Sequence, residues 1–165
     1  MANASAGRPA KAKKPATPTW HELAQPSSHK RARWDRGLNR TRWSPCGKAW
    51  DAVAITPLDR GLEALAALGT GPRSGALVLV DHLRGVLYVM VPPGSGDVLA
   101  GLSGVRVLSD GNELLMPATY DDSTASADLI SYPRDGEPPV LVPADQLADR
   151  LRDFTAHAPE GASVS

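Results

Sequence analysis

The aliphatic periodicity that can build a core starts only near Trp50, so whatever folds in this chain must fold mainly from its last two-thirds. From Ala2 to Thr19 there is no large apolar residue, and the texture is Ala, Pro, Lys and Ser. Such a stretch cannot bury enough surface to offset the entropy of ordering it. Residues 1–42 are therefore expected to be a basic, largely disordered arm, residues 43–157 a small α+β domain, and residues 158–165 a frayed tail.

Charge divides at the same place. Residues 1–50 hold eleven Lys or Arg against Glu22 and Asp35, a net of +9, whereas residues 51–165 hold seven bases against sixteen acids, a net of −9. The neutral total hides an arm that seeks a polyanion, an acidic protein surface, or its own domain. Cys46 is the only cysteine, which excludes an intramolecular disulfide and a disulfide-stapled design. The four histidines show no metal-ligand spacing to it or to one another, so neither a metal nor another cofactor is expected. The longest apolar run, Ala76 to Val80, is far too short for a bilayer. The expectation is a cytoplasmic protein with no membrane partner.

Within the domain, Ala49 to Thr56 alternates well enough for a first strand ended by Pro57. Leu58, Leu62, Leu65 and Leu68 then recur at helical spacing before Gly69. ALVLVD (76–81) and GVLYVMV (85–91) read as a hairpin. Val105 to Leu108 and Glu113 to Met116 read as a second one about an Asp-Gly or Gly-Asn turn, and Leu129 to Tyr132 as a short strand. Pro143 opens a helix with Leu147, Leu151 and Phe154 on one face. Consecutive strands without intervening helices predict a mostly antiparallel sheet of about five strands with two helices.

All four tryptophans, Trp20, Trp34, Trp43 and Trp50, lie among the basic residues of the first fifty. A Trp buries roughly 150–250 Å², so Trp43 and Trp50, next to the first strand, are expected to pin a coil onto the domain. Trp34, between Arg33 and Arg36, is the candidate for stacking on a base. The expected nucleic-acid contacts are Lys11, Lys13, Lys14, Lys30, Arg31, Arg33, Trp34, Arg36, Arg40 and Arg42. The rival is an adaptor whose arm binds an acidic protein partner.

Catalytic patterns are sparse. Pro92-Pro93-Gly94-Ser95-Gly96 lacks the Gly-Lys-Ser/Thr of a phosphate loop and reads as a rigid turn. Asp121, Asp122 and Asp128 have the chemistry for a divalent cation, but acids in a polar loop are ordinarily solvated. Cys46, in an exposed-looking Ser-Pro-Cys-Gly turn near Lys48, has no evident partner base and reads as an inert thiol, while His82 reads as a solvated turn residue.

The run from Trp50-Asp51-Ala52-Val53 through Gly85-Val86-Leu87-Tyr88, Val91-Pro92-Pro93-Gly94 and Gly104-Val105-Arg106-Val107-Leu108 resembles small actinobacterial proteins. Those in turn are similar to the N-terminal part of the bifunctional DNA primase/polymerase family. The resemblance covers about two-fifths of the chain and implies DNA-related work. That family's catalysis needs an Asp-x-Asp or Asp-x-Glu pair on a strand, and none stands on any strand expected here. The resemblance thus implies a catalytically silent relative, with no catalytic residue to carry over.

Overall fold

The computed structural model describes residues 17–157, with side chains as far as Phe154. The expected disorder of residues 1–16 and the fraying of 158–165 lie outside the described residues. In chain order the elements are α1 (Trp20–Leu23), α2 (Ser28–Asp35), β1 (Thr41–Pro45), β2 (Asp51–Ile55), α3 (Leu58–Ala67), β3 (Val78–Asp81) and β4 (Val86–Val91). They continue with β5 (Val105–Leu108), β6 (Glu113–Pro117), β7 (Asp128–Ser131) and α4 (Ala144–His157). The fold is α+β with antiparallel strand pairing, as the sequence predicts.

Five strands form the main sheet in the order β5-β2-β4-β3-β7. Alternation divides each strand between two faces. Val53, Ile55, Val78, Val80, Leu87 and Val89 point to one side, where they meet Leu62 and Leu65 of α3 and Leu147 and Leu151 of α4 in the larger core. Ala52, Leu79, Met90 and Leu108 point to the other, where Cys46, Trp50 and Leu114 complete a smaller core. That second face is covered by a two-stranded ribbon of β1 and β6, registered Thr41 to Pro117 and Pro45 to Glu113. Helices therefore line one face of the sheet and a ribbon part of the other.

The ribbon corrects the expected second hairpin. The turn is where the sequence puts it, with Asn112 N donating to Ser109 O at 3.0 Å. Its two flanking strands nevertheless part company: β5 pairs with the free edge of β2, and β6 pairs with β1. Strand β1, TRWSP, carries too little apolar character to announce itself, so the partner that takes β6 was invisible in the sequence.

The structure also moves the start of the ordered domain back from residue 43 to residue 17. Thr19 caps α1 through Glu22 N while the Glu22 side chain accepts from Thr19 N, a reciprocal capping box. This fixes Trp20, which is 2% exposed in the larger core and donates its indole N–H to Thr70 O at 2.8 Å. The Trp20 indole, with Ala24 buried and Leu23 half-buried beside it, rather than a periodic apolar face, orders a stretch whose composition reads as coil.

Candidate nucleic-acid interface

Helix α2 buries no residue, so polar contacts must hold it. Ser27 caps it by accepting from Lys30 N at 3.1 Å. From the same first turn the Lys30 side chain reaches the carboxylate of Asp128 on β7, whose side chain is 0% exposed. The second oxygen of that carboxylate meets His82 Nε2 at 2.8 Å, and the His82 ring lies 5.5 Å, centroid to centroid, from Trp34. His82 is therefore a packed part of this latch and not the solvated turn residue that the sequence implied. Arg33 faces Asp121 at 3.9 Å, a surface pair worth little.

These contacts disperse the three candidate metal ligands. Asp128 is engaged by Lys30 and His82, and Asp121 points outward near Arg33. Asp122 accepts from Thr119 Oγ1 at 2.9 Å and from Arg40 N at 3.3 Å. Those two hydrogen bonds, the Thr119 hydroxyl first, hold its carboxyl below the usual range. Among the described residues no three His, Cys, Asp or Glu side chains are grouped to hold a metal ion. The turn at 92–96 leaves β4 and is tied back by Gly94 N donating to Asp51 Oδ2 at 2.9 Å. Cys46 is buried, not exposed, and its thiol is pushed up by burial and then by Asp51 and Glu113.

The latch sorts the expected nucleic-acid contacts into three groups. Lys11, Lys13 and Lys14 lie outside the described residues. Lys30, Arg33 and Trp34 line a groove of about 340 Å³ between α2 and the Tyr120 turn, and there the two cations already face Asp128 and Asp121. The Trp34 indole N–H is buried and has no acceptor among the described residues, so the ring is packed rather than presented. Arg31, Arg36, Arg40 and Arg42 are all exposed, and none has an ion-pair partner among the described residues. They form the free cationic part of the segment.

A second cluster was not legible in the sequence. The β1–β6 ribbon covers only part of its face of the sheet, and the corner beyond it is open. Trp43, expected to be pinned, stands at this border 64% exposed, opposite Leu115 in the ribbon. Trp50 does pack into the smaller core as expected. In the open corner Tyr88 of β4 and Arg106 of β5 each stand in register with Ala54 of β2, one on either side. With strands about 4.8 Å apart, the small Ala54 leaves a slot between two larger walls. The slot opens into a groove of about 640 Å³ that also takes in Thr56, Arg84 and Val86. Trp43 shares a further hollow of about 220 Å³ with Tyr88, Arg84 and Arg106.

The electrostatics of this corner are set by its two guanidinium groups. Burial and then the Asp81 carboxylate push the Tyr88 phenol up, while Arg106 and Arg84 pull against them. Asp81 itself is spent: it accepts from Leu83 N at 3.0 Å and Arg84 N at 3.1 Å and meets Arg84 Nη1 at 3.4 Å. Arg106 has no ion-pair partner among the described residues, and Glu113 is the other carboxylate lining the hollow. The available signal was Tyr88, a polar-tipped aromatic between Leu87 and Val89 in an otherwise aliphatic strand.

Compared with protein-family models, with curated proteins and with solved structures, the chain matches none.

Proposed function

We propose that this chain is a non-catalytic accessory protein that associates with nucleic acid through the cations of its N-terminal segment. The observation that carries the reading is the contrast within that segment. Lys30 and Arg33 face acids of the domain, whereas Arg31, Arg36, Arg40 and Arg42 are exposed and their side chains make no ion pair among the described residues. Free guanidinium groups on an anchored segment suit phosphates, since Arg presents a planar fork to phosphate oxygens. Lys11, Lys13 and Lys14 add to the same charge. The resemblance of the strand run to small actinobacterial proteins, in turn similar to the N-terminal part of the primase/polymerase family, favours the same ligand, with the chain as a catalytically silent relative. Such contacts position without reading bases, so affinity is weak, indifferent to sequence and sensitive to salt. We place this work in the cytoplasm; no helix among the described residues is long and apolar enough to cross a membrane.

The test is a mobility-shift comparison of the full chain with a variant carrying Arg31→Gln, Arg36→Gln, Arg40→Gln and Arg42→Gln. The expected result is binding of arbitrary duplex and single-stranded DNA by the parent and markedly weaker binding by the variant, with the thermal midpoint unchanged. Equal binding by the two proteins would remove these arginines from the function. Absence of binding by the parent at low salt would overturn the reading and leave an acidic protein surface as the partner.

A further inference from the structure

We infer that the open corner of the main sheet is a base-binding slot for single-stranded nucleic acid, an inference that rests on the nucleic-acid reading above. The slot has a floor, Ala54, and two walls, Tyr88 and Arg106, fixed by strand register and not by loop conformation. An aromatic ring and a guanidinium plane are the two side-chain surfaces on which an unstacked base lies flat. Walls standing on strands two spacings apart leave roughly 9–10 Å between backbones, room for a flat ring between the side chains. Trp43, 64% exposed in the middle of β1, offers a second stacking surface beside the first.

Charge decides the class of occupant. Asp81 is consumed by the β3–β4 turn and Arg84, which leaves the Arg106 guanidinium free toward the groove, with Glu113 at its far border. A nucleotide satisfies an aromatic wall and a cationic wall together. A duplex does not, because its bases are stacked away from such a slot and only its phosphates reach the protein. The exposed arginines of the N-terminal segment then supply sequence-indifferent phosphate contacts, and the slot adds a preference for single strands.

The experiment uses the full chain and follows tryptophan fluorescence and anisotropy with oligo-dT and oligo-U of about 15 nucleotides and a duplex of equal length. Ala54→Leu fills the floor without touching any charge. Tyr88→Ala and Arg106→Gln remove one wall each, and Trp43→Phe removes the reporter at the rim. The expected result is single-strand affinity lowered about 10-fold by Ala54→Leu and by Tyr88→Ala, with duplex affinity unchanged. Quenching by the single strand should largely vanish in Trp43→Phe. The oligo-dT and oligo-U arms distinguish DNA from RNA as the strand taken. Arg106→Gln, at an exposed position, keeps the test decisive if Ala54→Leu lowers the melting temperature. Single-strand affinity unaltered in all these variants, with the parent still binding duplex, would overturn the slot and spare the nucleic-acid reading. No binding of any nucleic acid by the parent would overturn both.

Discussion

Lys30 and Asp128 meet as an ion pair between a helix with no buried residue and a strand of the sheet, and Asp128 has no exposed side-chain surface at all. The pair ties α2 to the acidic domain, alongside the Trp20 anchor in the larger core. Opposite charge in the two halves of the chain is thus used in part internally, with Arg33 and Asp121 as a weaker second contact.

Lys30→Met is expected to leave Asp128 with His82 alone. A broken buried pair costs about 3–5 kcal/mol, and with His82 retained and Lys30 itself partly exposed roughly 1–3 kcal/mol is expected. Adding Asp128→Asn should return part of that loss, because the uncompensated charge is gone. Urea denaturation of the two variants and of Asp128→Asn alone checks this; a double variant no better than Lys30→Met would show that the pair does not hold α2.

Trp20→Ala is expected to cost about 3–5 kcal/mol, as for a large aromatic removed from a core. Trp20→Phe keeps most of the packing but orphans the Thr70 carbonyl, a loss of about 1–2 kcal/mol. Truncation before Trp43 should for the same reason destabilise the domain strongly, since it strips Trp20 from the larger core and Lys30 from Asp128. Thermal unfolding of the three proteins measures it, and a truncated chain as stable as the parent would return the domain boundary to residue 43.

Alkaline pH should weaken the fold. The Cys46 thiol is raised above its ordinary 9.0 and the Tyr88 phenol above its ordinary 10.0, each chiefly by burial. Above those ordinary values the unfolded chain gives up protons that the native chain retains, so stability present at lower pH is lost as pH rises toward the native values. The unfolding midpoint is expected to decline between about pH 9 and 11, less steeply in Cys46→Ala. Native Cys46 should react with iodoacetamide far more slowly than the unfolded thiol. Equal rates in the two states would contradict its burial.

Periodicity made part of this fold legible. Leu58, Leu62 and Leu65 announce α3, Leu147 and Leu151 announce α4, and the aliphatic runs around His82 to Gly85 announce the β3–β4 pair. What escaped was built by a few contacts. Helix α1 depends chiefly on the Trp20 indole, α2 on an ion pair formed 98 positions away in sequence, and β1 on pairing with β6. The slot escaped for a related reason: Trp43, Ala54, Tyr88 and Arg106 lie on four different strands, and register alone gathers Ala54, Tyr88 and Arg106. The basic residues were visible as a group, but their division into paired and free members needed the positions of Asp121 and Asp128.

On the nucleic-acid proposal the free cations of the N-terminal segment bind phosphates. The most direct measurement is the affinity of the full chain for an arbitrary duplex across a salt series, repeated with the Arg31, Arg36, Arg40 and Arg42 glutamine variant. The slope of log affinity against log salt should be steep and negative in the parent and shallower in the variant by up to about 3.6, near 0.9 for each phosphate that is no longer neutralised. A parent slope near zero, or a variant slope equal to the parent's, would contradict the account.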